Sequence, residues 1–287
     1  MPKLFVSDKL PNYFVEFDFS PENRNSDLLD LAVLRAFEEG KCIYFKNWLV
    51  DFDQEFFSQL ALEDNRTAKK LGSRLAADGT LDLKRLEAKL AHCTKDAATI
   101  QQFQVHAERI SAQVTPILNR IFKDQVYHER VLTWRMLETV QEDLHIDIYS
   151  EETTDFQIRM FVNLDIVPRI WHTSHTLEGL LQQFGHRLTD AELATLGPTA
   201  LCRLLCKRVY GGLAQAGKDG QPRHTAFFLP GEVWMVDSRR ISHQIFYGRR
   251  ALSLDYRATP ESMNDPSKHY TRSVEAYRRE RSTVSTA

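Results

Sequence analysis

Near residue 125 the hydrophobic pattern of this 287-residue chain changes period, and that change limits the folds open to it. Upstream, apolar residues recur at helical spacing. Leu28, Leu29, Leu31, Ala32, Leu34, Ala36 and Phe37 mark a helix from Asp27 to Glu39 that Gly40 stops. Phe103, Ala107, Ile110, Val114, Ile117 and Ile121 draw one apolar stripe along a second helix, from about Asp96 to Phe122, which Pro116 is expected to kink or divide. Downstream, Val131–Met136, Leu144–Ile148, Phe156–Leu164, Thr225–Leu229, Glu232–Asp237, Ile241–Tyr247 and Arg250–Tyr256 have the composition and length of strands.

A helical interruption separates these strands. It runs from Thr176 to His186, restarts at a Thr189-Asp190 cap, breaks at Gly197-Pro198 and continues from Thr199 to about Tyr210. Pro168–Trp171, His172 and His175 are expected in the loop that leads into it. In the first half, Cys42–Phe45 reads as a short buried strand, residues 1–25 as an irregular or edge-strand lead-in, and residues 62–95 as two short helices or a lid. The expected fold class is therefore α+β: a double-stranded β-helix (jelly-roll, cupin-like) core with helical N-terminal support and a helical insertion. One domain is expected over 1–287, with a helical part to about 125, a core over about 126–260 and a polar, basic tail over 261–287.

Composition narrows the function classes. The net charge of −2 offers no basic excess to neutralise phosphates, so nucleic acid is not the expected partner. Cys42, Cys93, Cys202 and Cys206 form no CxxC pair and read as reduced structural thiols. No stretch approaches the roughly 20 apolar residues of a transmembrane helix, and the N-terminus has no apolar run of the signal-peptide kind. A cytoplasmic location is expected, with peripheral contact at the inner face of a membrane as an addition to it. Apart from any ligand role, His92, His106, His128, His186, His224 and His269 read as surface or boundary histidines.

Three residues carry the chemistry. His145 and Asp147 lie two apart on a predicted strand and so share a face. With His243 from a distant strand they make a 2-His-1-carboxylate set with open positions, the arrangement that suits non-haem Fe(II) oxygenases. The open positions would take a bidentate 2-oxo acid and O2. Decarboxylation of the oxo acid then drives hydrogen abstraction from a C–H bond and return of hydroxyl, while the protein orients and protects. The Asp147 carboxylate fills the position that halogenating enzymes leave to chloride, which favours hydroxylation. The distal carboxylate of 2-oxoglutarate needs a cation, best a bidentate arginine. Arg159 is the first candidate, because Arg159, Phe161 and Asn163 share a strand face; the alternative is that Arg159 faces solvent on an edge strand. Arg249 and Arg257 are further candidates, or else a turn residue and a surface residue. Pro168–Trp171 can shape a substrate mouth or be an exposed loop with its tryptophan packed down.

The ordered run Thr133-Trp134-Arg135, Leu144–Asp147, Arg159-Met-Phe-Val-Asn163, Pro168–Trp171, Phe228–Trp234, Ser242-His243 and Gly248 resembles the Kdo hydroxylase family, and Glu38–Phe45 is similar to that family's opening strand. Those enzymes are Fe(II)/2-oxoglutarate-dependent dioxygenases that hydroxylate C3 of a 3-deoxy-D-manno-oct-2-ulosonic acid (Kdo) unit of lipopolysaccharide precursors. The resemblance implies His145, Asp147 and His243 as iron ligands, supports Arg159 and Asn163 as site residues, and implies Fe(II), 2-oxoglutarate and O2 as the reagents. Arg135, Arg169 and Trp171 are expected to face a small or lipid-linked sugar-acid substrate. Ile148-Tyr149 after the motif and Asp143-Leu144 before it depart from the family's usual Ala-Phe and basic residue. The end strand, with Arg249-Arg250 and Asp255-Tyr256-Arg257, departs too. Two other readings stay open: the same chemistry on a free amino acid or other small acid, and a non-catalytic cupin-like protein that binds metal or sugar.

Overall fold

The computed structural model describes residues 3–76, 78–137, 142–147, 154–212 and 217–284. Ile148 and Tyr149, where the motif's flank departs from the family, lie outside them. The first half is less purely helical than its periodicity suggests. Strands β1 (Lys3–Phe5), β2 (Phe14–Asp18), β3 (Cys42–Leu49) and β4 (Leu71–Arg74) alternate there with helices α1 (Asp27–Glu38), α2 (Gln54–Gln59), α3 (Asn65–Ala68), α4 (Leu83–Cys93) and α5 (Ala97–Ile121). Helix α5 stays one α-helix through Pro116. Residues 62–95 hold α3, β4 and α4, so the expected pair of helices has a strand between them.

The second half supplies β5 (Tyr127–Met136), β6 (Phe156–Asn163) and β7 (Arg169–Thr176), the insertion α6 (Leu177–Phe184), α7 (Asp190–Thr195) and α8 (Pro198–Tyr210), then β8 (His224–Phe228), β9 (Glu232–Met235), β10 (Ile241–Tyr247), β11 (Arg250–Ala258) and α9 (Tyr270–Val284). The insertion obeys its local signals. Thr176 caps α6, Thr189 and Glu192 form a capping box on α7, Pro198 opens α8, and Gly211 closes it in the left-handed region at φ 75°.

The strands form two sheets, β1-β8-β7-β10 and β2-β3-β9-β6-β11-β5-β4. The α+β jelly-roll expectation holds, with N-terminal strands extending both sheets. Residues of β6 are buried on both faces. Ile158, Met160 and Val162 belong to the main apolar core, which also takes in Phe37 of α1 and Phe103, Ile110 and Leu118 of α5. Arg159, Phe161 and Asn163, of opposite parity, face the second sheet, where Phe161 packs on Trp171 at 5.4 Å between ring centroids. The barrel interior is thus the polar side of this strand.

A second core joins α6, α7, α8 and α9, and Leu144 and Ile146 belong to it. The segment expected as a polar, basic tail contributes to this core through one face of α9. Tyr270 and Val274 are buried in this core, Arg278 donates to the Leu196 carbonyl and Arg281 pairs with Asp190 at 3.2 Å. Pro168–Trp171 is likewise no exposed loop: Arg169 begins β7, whose inner positions include Trp171 and Thr173, and His172 and His175 lie on the same strand. His106, His224 and His269, expected near the surface, are buried.

Candidate metal centre

The segment that carries His145 and Asp147 is pinned by one pair of backbone hydrogen bonds. His145 N donates to His243 O at 3.0 Å and His243 N donates to His145 O at 2.8 Å, so the two histidines form a hydrogen-bonded antiparallel pair. Such a pair sets its two side chains side by side on one face. Among the described residues of the expected strand Leu144–Ile148, this isolated bridge stands in place of a ladder. Asp147 N donates to Ser238 O at 2.9 Å and fixes the carboxylate two positions on. Alternation does the rest: Leu144 and Ile146 enter the helical core, and His145 and Asp147 turn the other way.

His145 Nε2 lies 3.4 Å from Asp147 Oδ1, and His243 Nε2 lies 3.7 Å from Asp147 Oδ2. One ligand atom from each residue lies within 4.8 Å of the others. Three ligands at about 2.1 Å from a shared ion, at right angles, stand about 3 Å apart, so a small closure suffices. The tautomers also fit. His145 Nδ1 is 2.7 Å from Asp143 O and His243 Nδ1 is 3.1 Å from Ile241 O. A carbonyl only accepts, so each Nδ1 carries the proton and each Nε2 presents a lone pair to the centre. Burial, followed by repulsion from His145, holds His243 well below its ordinary pKa and keeps it neutral. Two lone pairs and a carboxylate converging on one point are a ligand set for a cation. Trp171 backs His243 at 5.0 Å between ring centroids.

Behind the triad lies a cavity of about 150 Å³. Among the described residues five cationic side chains (Lys69, Lys70, Arg135, Arg159 and Arg169) line it against two carboxylates, Glu142 and Asp147. Arg159 donates to Asp147 and, at 3.1 Å, to Ser253 Oγ; its guanidinium stacks 4.8 Å over Phe161. Arg135 and Lys69 approach Glu142 Oε1 at 3.3 and 3.7 Å. Burial works to raise the Glu142 pKa, but the charge of Arg135 and its neighbours prevails and takes it to about 2, too acidic for a general base. Arg169, unlike Arg135 and Arg159, pairs with neither carboxylate of the cavity. It is buried, and its Nε and Nη1 have no hydrogen-bond partner among the described residues. Burial, then repulsion from Arg135, lowers its pKa to about 9, which leaves it charged at neutral pH.

The remaining sequence candidates do not line this cavity. Asn163 Nδ2 donates to the carbonyls of Val167 and Phe228, both at 2.9 Å, and so ties the β6–β7 turn to β8. Arg249 grips Asp165 with two donors, at 3.0 and 2.7 Å. Arg257 pairs with Glu129 at 3.5 Å and Asp255 at 3.6 Å. Face parity on a strand was right for Asn163 and Arg257, but depth along the strand carries them past the cavity. Lys69, Lys70 and Glu142 were missed. They lie on loops that only the tertiary fold brings to the triad, and no periodic signal marks them.

No model of a known protein family matches the chain, and no curated protein matches it in sequence. Solved structures do match. The Kdo hydroxylase KdoO, a non-heme Fe(II) alphaketoglutarate dependent dioxygenase, is similar in its complex with succinate and Fe(III) (TM-score 0.68, 15% identity) and in its apo form (TM-score 0.69, 14% identity). Each comparison covers 92% of this chain and 95% of the other. The chain has the KdoO fold. A third KdoO structure, with alphaketoglutarate and Fe(III), superposes with a TM-score of 0.68 at 14% identity.

Proposed function

We propose that this protein is an Fe(II)/2-oxoglutarate-dependent hydroxylase acting on a Kdo-type sugar acid. One observation carries the reading: three converging atoms able to hold a metal share a wall with a small cavity in which, among the described residues, cations outnumber carboxylates five to two. A divalent metal would be held by His145, Asp147 and His243. With 2-oxoglutarate and O2 it would supply the oxidising chemistry, and the chain itself has to bind, orient and exclude water. The 2-oxoglutarate dianion suits a cavity with this charge balance. Arg169 takes the distal carboxylate, because its donors are uncommitted where those of Arg159 hold Asp147. The sequence puts Arg159 first for this carboxylate, ahead of Arg249 and Arg257, and expects Arg169 to face the substrate instead. Arg159 positions the ligand carboxylate, and Trp171 keeps the His243 ring from turning.

The sugar-acid substrate follows from KdoO's description as a Kdo hydroxylase together with the ordered motif run. Lipid-linked Kdo and free small acids are the competing forms of that substrate. Among the described residues no helix is long and apolar enough to cross a membrane. The test is anaerobic addition of Fe(II) and 2-oxoglutarate, read by the visible metal-to-ligand charge-transfer absorption of the chelate. Air is then admitted, and succinate and a product one oxygen heavier are measured with lipid-linked Kdo or with soluble acids. His145→Ala is expected to abolish absorption and succinate alike, and full turnover in that variant would sink the iron assignment. A wild type that binds metal but never consumes 2-oxoglutarate would point to the non-catalytic binding protein.

A further inference from the structure

The segment from Asp143 to Asp147 has open space on both sides. One side is the arginine-lined cavity. On the other side is a cleft of about 360 Å³ between this segment and α8. His145 and Asp147 border both spaces. The His145 side chain is 28% exposed against 4% for that of His243, so the triad is open through His145. A molecule in the outer cleft would lie beside two of the three candidate ligands, while Arg169 and His243 line only the inner cavity.

Helix α8 gives this cleft its charge. Leu201, Cys202, Leu205, Cys206 and Val209 anchor the helix in the second core. Arg203 and Lys207, four residues apart and hence on one face, are exposed and line the cleft. Asp143 borders it too, with Oδ2 3.9 Å from where a Cβ on Gly212 would lie. Among the described residues two cations and, apart from Asp147, one carboxylate border this space, a set that suits a polyhydroxylated acid: the cations meet its carboxylate, and Asp143 accepts from hydroxyls.

We infer that the outer cleft is the site of the molecule to be hydroxylated, and that Arg203 and Lys207 are specificity residues that hold its carboxylate. The inference rests on the metal and 2-oxoglutarate reading above. It assigns substrate recognition to the helical insertion and cosubstrate recognition to the barrel, with the triad as the shared wall.

The test is calorimetric titration of free Kdo into protein loaded with redox-inert Mn(II) and 2-oxoglutarate. Wild-type protein is expected to bind Kdo and to bind its C1 methyl ester at least tenfold more weakly. The double variant Arg203→Gln/Lys207→Gln should bind Kdo at least tenfold more weakly, to the level of the ester. Lys207→Arg should retain most of the affinity. The Fe(II)–2-oxoglutarate absorption should be the same in wild type and double variant. Equal Kdo affinity in the two proteins would overturn the inference. So would no Kdo binding by wild type, equal binding of acid and ester, or displacement of Kdo by inorganic phosphate at equal concentration, which would assign the cleft to phosphate. Absence of the absorption from wild type would instead count against the function proposed above, and Kdo binding to metal-free protein would still be read separately.

Discussion

Single side chains at the centre carry opposed demands, and substitutions should separate them. Asp147 would ligate the metal and also neutralises Arg159, which is buried on the inner face of β6. Asp147→Asn is therefore expected to lose metal and also to destabilise the metal-free protein by roughly 3 kcal/mol, because it removes the charge of the carboxylate to which the buried Arg159 donates. Adding Arg159→Met should recover much of that loss in urea unfolding while metal stays unbound. Arg169 should behave the other way. A buried guanidinium with unpartnered donors is destabilising in the empty protein. Arg169→Met is expected to leave the ligand-free midpoint unchanged or raise it, and to weaken 2-oxoglutarate binding at least a hundredfold by calorimetry. A variant that binds 2-oxoglutarate normally would move the carboxylate site to another cation. Gly248 supports this arginine by proximity: a Cβ there would sit 2.6 Å from Arg169 Nη1 at φ 156°. Gly248→Ala should shift Arg169 and raise the KM for 2-oxoglutarate more than it lowers kcat.

Among the elements, the chain's local signals settled helices better than they settled what lies between them. Caps at Thr176, Thr189 and Pro198 act within one turn, so the insertion could be bounded residue by residue. Strand β7 reads as loop in the sequence because its run Arg-Ile-Trp-His-Thr-Ser-His-Thr is mostly polar, and here buried Arg169, Thr173, Ser174 and His175 accompany the packed Trp171. Pro116 leaves α5 whole, its neighbours Val114, Thr115 and Leu118 being buried against the rest of the protein. Tertiary packing outweighs the local penalty of an interior proline there. The junction of β3 with the β8–β9 turn has its own tight point. Gly231 has φ 78°, and a Cβ on it would stand 2.8 Å from the Val50 carbonyl, while Val50 N donates to Gly231 O at 2.9 Å. Gly231→Ala is expected to cost about 1–3 kcal/mol, read as a lowered thermal midpoint with an unchanged metal stoichiometry.

For the whole molecule, charge and burial set the response to pH. His269 is buried beside Tyr270; burial chiefly, then the nearby arginines, lower its pKa to about 4. Between about 4 and the ordinary 6.5 the unfolded chain binds a proton that the folded chain refuses. The contribution is thus complete above pH 6.5 and is lost as pH falls towards 4, by at most about 3 kcal/mol. His269→Gln should flatten the thermal midpoint against pH over that window relative to wild type; identical profiles would show that His269 takes no part. What the sequence by itself determined is local in origin: the change of period near residue 125, the insertion's caps, and the His-x-Asp pair whose alternation points both ligands one way. The partner His243 was legible as well, as an imidazole on a later strand, and the resemblance supports it. Tertiary structure alone decided which cations meet the triad. Arg159 and Arg169 come from different sheets, Lys69 and Lys70 follow a four-residue helix, and Arg257 has the right parity at the wrong depth. Parity follows from the covalent geometry of a strand, whereas depth depends on the register between strands far apart in sequence, which no local pattern encodes.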